Sequence, residues 1–100
     1  MTAIRWTEQA VADVEAIRDY VARDSSHYAT LLVERLVSCM DAVSRFPELG
    51  RIVPEYDRRD LRELLQGSYR VVFRLKDGQA EVLTVFHGAR LFPLGIEDAR

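Results

Sequence analysis

Tyr69-Arg70-Val71-Val72-Phe73-Arg74-Leu75-Lys76-Asp77-Gly78-Gln79-Ala80-Glu81-Val82-Leu83-Thr84-Val85-Phe86-His87-Gly88-Ala89-Arg90 is the stretch on which the fold turns. Two β-rich runs flank Asp77-Gly78, a pair that tolerates the positive φ required at both centres of a two-residue hairpin loop. That loop sets Arg74 opposite Glu81, Phe73 opposite Val82 and Val71 opposite Thr84, so Arg74 and Glu81 form a complementary cross-strand pair. Strict alternation then puts Val71, Phe73, Leu75, Val82, Thr84 and Phe86 on a face that packs against helices. Arg70, Val72, Arg74, Glu81, Leu83, Val85 and His87 fall on the other, a mixed apolar and charged surface expected to stay open to a partner.

Upstream, Thr2-Ala3-Ile4-Arg5-Trp6 reads as a short strand with Ile4 and Trp6 on one face. Thr7 is an N-cap candidate, and Ala10, Val14, Ile17 and Val21 recur at helical spacing to about Arg23, with Asp13, Glu15, Arg18 and Asp19 mostly outward. Asp24-Ser25-Ser26 offers caps for a second helix, whose stripe of Leu32, Leu36, Val37, Met40, Val43 and Phe46 runs until Pro47 and Gly50 stop it. Arg51 to Asp60 reads as an irregular charged connection, and Leu61–Leu65 as a strand paired antiparallel to Tyr69–Leu75. The expected order is β-α-α-β-β-β: an α+β fold, one domain over residues 1–100, with an open antiparallel sheet and a helical hairpin on one face.

Composition narrows the function. The chain is 48% hydrophobic and 30% charged, which suits a folded core. Arg5 and Glu8 precede any apolar stretch of signal-peptide length, and no apolar run approaches a membrane span. A cytoplasmic protein without a membrane partner is the expectation. Cys39 is the single cysteine, which excludes an internal disulfide and a cysteine metal cluster; its neighbours suggest a buried apolar role. Net charge is −2, and thirteen of the fourteen basic residues are arginine. Basic residues lean towards the sheet half, but too weakly for a protein that lives on phosphate contacts, so direct nucleic-acid binding is not expected.

Taken singly, no residue is a convincing catalyst. There is no Ser/His/Asp spacing, glycine-rich phosphate loop or metal-ligand spacing, so neither metal nor cofactor is expected. His87 ends a strand, where a partner-contacting or structural role competes with general acid–base chemistry. Arg62, Arg70, Arg74 and Arg90 either converge on the open face as an anion- or acid-binding cluster, or form surface ion pairs with Glu63 and Glu81.

The order of Trp6-Thr7-Glu8, Asp13-Val14-x-x-Ile17-x-x-Tyr20-Val21, Phe46-Pro47-Glu48-Leu49-Gly50-Arg51, Leu61-Arg62-Glu63-Leu64, Tyr69-Arg70-Val71-Val72-Phe73 and Val85-Phe86-His87-Gly88-Ala89-Arg90 resembles the ParE/RelE superfamily of bacterial toxin–antitoxin toxins. The resemblance covers about the first ninety residues. It implies a cognate antitoxin, ParD-like for the ParE branch, that wraps the toxin with an otherwise disordered segment. It also implies one of two targets, DNA gyrase for ParE-like members or ribosome-bound mRNA for RelE-like members. A nuclease would draw on Arg62, Arg70, His87 and Arg90. Partner binding would draw on Arg62, Arg70, Val72, Arg74, Leu83 and Val85. With no Tyr after Tyr69, one Lys and an acidic net charge, the ParE-like, gyrase-binding branch is the expectation. A non-toxic partner-binding member of the fold, or an unrelated α+β interaction module, are the alternatives.

Overall fold

In the computed structural model, which describes residues 1–99, the chain forms an open five-stranded sheet with its helices on one face. Strand β1 (Ala3–Trp6) leads to helices α1 (Glu8–Ala22), α2 (Ser26–Ser38) and the short α3 (Asp41–Arg45). Strands β2 (Arg51–Ile52), β3 (Leu61–Gln66), β4 (Tyr69–Lys76) and β5 (Gln79–His87) follow, then a 3₁₀ turn at Ile96–Asp98. The sheet order is β1-β5-β4-β3-β2. Strands β2 to β5 are antiparallel neighbours, whereas β1 joins the edge parallel to β5, and helices α1 to α3 carry the chain from β1 to β2 at the opposite edge.

Local chemistry explains the element ends. The Thr7 hydroxyl accepts from the Ala10 N–H and donates to the Val82 carbonyl at 2.7 Å, so one fully buried side chain caps α1 and ties it to β5. Ser25 caps α2 by accepting from the Tyr28 N–H. The single long second helix expected from the apolar stripe is instead two. The chain tightens where the Met40 N–H bonds the Val37 carbonyl, and the new axis drops both Met40 and Val43 into the core. Gly50 lies so close to Phe73 that a Cβ there would sit 2.6 Å from the ring, a contact only glycine avoids.

The hairpin turn is as expected, with positive φ at Asp77 and Gly78, Arg74 opposite Glu81 and Phe73 opposite Val82. Beyond that the register departs. A β-bulge leaves Leu83 without an opposite residue, so Val72 faces Thr84 and Val71 faces Val85, not Thr84. The outer half of β5 is thereby inverted. Val85 joins Val71, Phe73 and Val82 against Val14, Leu32, Leu36 and Val43, while Phe86 turns to the opposite face.

That opposite face is not open. Val53, Leu61, Val72, Leu83 and Phe86 form a second core, covered by Tyr56 from the β2–β3 connection and by Phe92, Ile96 and Ala99 from the C-terminal tail. The Tyr56 hydroxyl donates to Glu97 Oε2 at 2.6 Å, which pushes it up to about 12, and Arg74 Nη1 donates to the Glu97 carbonyl at 2.7 Å. The stretch expected to be a solvated loop thus contributes a strand at Arg51–Ile52 and a fully buried Val53. Among the described residues, no helix is long and apolar enough to cross a membrane.

Candidate partner-binding groove

The fold disperses the arginines that the sequence offered as one cluster. Arg62 donates to the carbonyls of Arg59 and Gly50, pinning the chain before β2 against β3. Arg70 stands three pairs further along the β3–β4 ladder, opposite Leu65 of β3 whereas Arg62 faces Phe73. Its Nε donates to Glu63 at 2.6 Å and its terminal nitrogens grip Glu55 at 2.8 Å each. Its guanidinium also lies 5.2 Å from the ring centroids of both Phe86 and Phe92. This holds the Glu55 carboxyl down at about 2, chiefly through the Arg70 hydrogen bonds.

Two carboxylates, Glu63 and Glu81, are each clamped between a pair of arginines. The Glu63 side chain is fully buried between Arg70 and Arg51, whose Nε lies 2.5 Å away. Glu81 sits between Arg74, at 3.0 Å, and Arg5, and both arginines help hold its carboxyl below the usual range, Arg5 first. The structure thus contains the ion-pair alternative for Arg70 and Arg74, with Glu63 and Glu81, whereas Arg62 bonds backbone carbonyls instead. Val72 and Leu83 are fully buried in the second core and Val85 is buried in the first. The expectation that these three lie on an exposed face is corrected: the tail covers Val72 and Leu83, and the bulge turns Val85 inward.

His87 and Arg90 come together elsewhere. Because of the bulge, His87 pairs with Tyr69 on the helix side, their rings edge-to-face at 5.5 Å, away from Arg70. The Ala89 N–H donates to His87 Nδ1 and the Arg90 N–H to the His87 carbonyl, closing the chain into a tight turn. A cleft of about 450 Å³ opens here, walled by Ile17 and Tyr20 of α1 and by Tyr69, Val85, His87 and Arg90. It continues past Asp13 into a second cleft of about 350 Å³ bounded by Thr84, Pro93, Leu94 and Ile96. Together they make a groove between α1, the outer half of β5 and the tail. A further apolar cleft of about 240 Å³ separates α1 from α2, lined by Trp6, Val11, Val14, Val33 and Val37.

Asp13, Tyr20 and Tyr69 were absent from the candidates read in the sequence. The available signal was spacing: Asp13, Ile17 and Tyr20 follow one another at four and three residues, hence share a stripe of α1. Cys39, half-buried at the end of α2, has its thiol pushed up to about 11 by burial and by Asp41, which makes it a poor nucleophile.

The family model for the ParE toxin of the parDE type II toxin–antitoxin system matches residues 4–92. The chain belongs to the ParE toxin family. Toxin RelE2 of Caulobacter vibrioides is 34% identical over 92 residues, covering 91% of this chain and all of the relative. A chain of a solved structure described as a chromosomal ParDE TA system from P. aeruginosa superposes with a TM-score of 0.73. It covers 87% of this chain and 96% of that one at 24% identity, a likeness of fold. In this ParE-family chain the matched residues end at Phe92, so the Ile96–Glu97 anchor that seals the second core lies outside the family model.

Proposed function

We propose that this ParE-family chain is the toxin of a type II pair that poisons DNA gyrase by binding it, without cleaving a substrate, and that a ParD-like antitoxin neutralises it. The observation that carries the choice of target is the dispersal of the four candidate nuclease residues. Metal-independent RNA cleavage needs a base for the 2′-hydroxyl, an acid for the leaving oxygen and cations around one phosphate. Here Arg62 is spent on backbone carbonyls, Arg70 on two carboxylates, and His87 with Arg90 lies on the other side of the sheet. The net charge of −2 also favours a protein surface over ribosomal RNA.

The antitoxin reading rests on what the helical hairpin leaves uncovered. Val11 and Val37 are nearly half exposed at the mouth of the apolar cleft between α1 and α2. An amphipathic helix from an otherwise disordered partner fits such a cleft. Arg62, Arg70 and Arg74 already have internal partners, so apolar burial supplies most of the affinity.

One observation favours the runner-up. A relative 34% identical carries the name RelE2, and His87 and Arg90 share one cleft, half of an acid–base and cation set. Controlled expression of the chain alone separates the two: induction of the DNA-damage response with intact transcripts supports gyrase, whereas cleaved transcripts without DNA damage support the nuclease. Unimpeded growth would leave the chain a non-toxic member of its fold.

A further inference from the structure

The bulge in β5 is held from outside the sheet. A bulge disrupts the ladder and leaves backbone groups in need of other partners. Here the Val85 N–H donates to Asp13 Oδ2 at 3.0 Å, the Thr84 hydroxyl donates to the same oxygen, and exposed Gln9 donates to Oδ1 at 2.8 Å. An ionised carboxylate, which only accepts, suits three converging donors. Asp13 also lies where the two clefts of the groove meet.

We propose that Asp13 is the positioning residue of the groove: by holding the bulge, it decides which side chains of outer β5 line it. With the bulge, Val85 and His87 face α1 and Phe86 faces the tail. Without it, plain alternation from the Asp77–Gly78 turn would oppose Val71 to Thr84, turn Phe86 under the helices and carry His87 to the face of Arg70. One carboxylate on α1 thus selects between two registers of a strand about seventy residues away. The inference rests on the groove geometry and is independent of whether gyrase or mRNA is the target.

Amide exchange and proton NMR on the full chain test it. Asp13→Ala should speed exchange of the Val85 amide on the order of tenfold relative to Val82. It should also abolish the Tyr69–His87 ring contact while leaving the contacts of Phe73 with the helices. Asp13→Asn should restore both signals, since one amide oxygen still accepts from Thr84 and Val85 and Gln9 can rotate to accept from the new NH₂. Thr84→Val, which removes one donor only, should keep the ring contact. A protected Val85 and intact ring contact in Asp13→Ala would overturn the proposal. If Asp13→Ala does not fold, Asp13→Asn decides alone: loss of the ring contact there overturns it, and retention supports it.

Discussion

Phe73 shows how one residue gathers the fold's constraints. Its ring is fully buried, packs with the helix-side core and presses on Gly50, so the glycine just before β2 makes room for the hairpin. Phe73→Ala should cost about 3–5 kcal/mol in denaturant unfolding, with an unchanged m-value. Glu55 provides a pH-dependent counterpart. Arg70 holds its carboxyl at about 2 against an ordinary 4.5, so its folded value is depressed. Its stabilising contribution is present above pH 4.5 and is lost as pH falls towards 2. Acid-unfolding curves of wild type and Glu55→Gln should therefore differ at neutral pH and converge as pH falls to about 2. Equal separation across the range would show that the Arg70 clamp does not drive the difference. Arg74–Glu81 was legible in the sequence because both sit within three residue pairs of a turn that fixes register. Arg5 on Glu81 and Arg51 on Glu63 were not, since those pairings depend on strands brought in from 76 and 12 residues away.

At the scale of elements, legibility followed the range of the forces. The hairpin turn, the Thr7 and Ser25 caps and the strand at Leu61 are written in neighbouring residues, and each formed where expected. The bulge is not local. Its donors are met by Asp13 of α1, so alternation alone misassigned the faces of Thr84, Val85, Phe86 and His87. The tail escaped for a related reason: Leu91-Phe92-Pro93-Leu94-Gly95-Ile96 has no helix or strand period, and its value to the fold lies in covering an apolar strip made elsewhere. That role is measurable. Ile96→Ala should destabilise by about 2–5 kcal/mol, and removing residues 93–100 should expose Val72, Leu83 and Phe86 and raise binding of a hydrophobic dye. A truncated chain with wild-type stability and no dye binding would mean that the second core closes without its cover. The candidate site was legible only in part, because the arginines were visible but the carboxylates that claim them required the folded sheet.

The whole molecule presents two distinct surfaces, and they suit different tasks. The arginines of the second sheet face are neutralised by buried or half-buried carboxylates, while apolar surface stays open along the helical hairpin. Val11→Asp with Val37→Asp should weaken the complex with the antitoxin by about 2 kcal/mol or more, roughly thirtyfold in Kd, without unfolding the toxin. Charge reversal at Arg59, which is exposed and remote from that cleft, should leave it unchanged. Isothermal titration with the neighbouring gene's product checks both. The central claim is that this ParE-family chain acts by binding gyrase and cuts nothing itself. Purified toxin incubated with gyrase and supercoiled DNA measures it most directly. The account predicts trapped gyrase–DNA cleavage complexes that persist in His87→Ala and vanish when antitoxin is added, with translated mRNA left intact. Absence of cleavage complexes, together with codon-spaced mRNA cuts that disappear in His87→Ala, would contradict it.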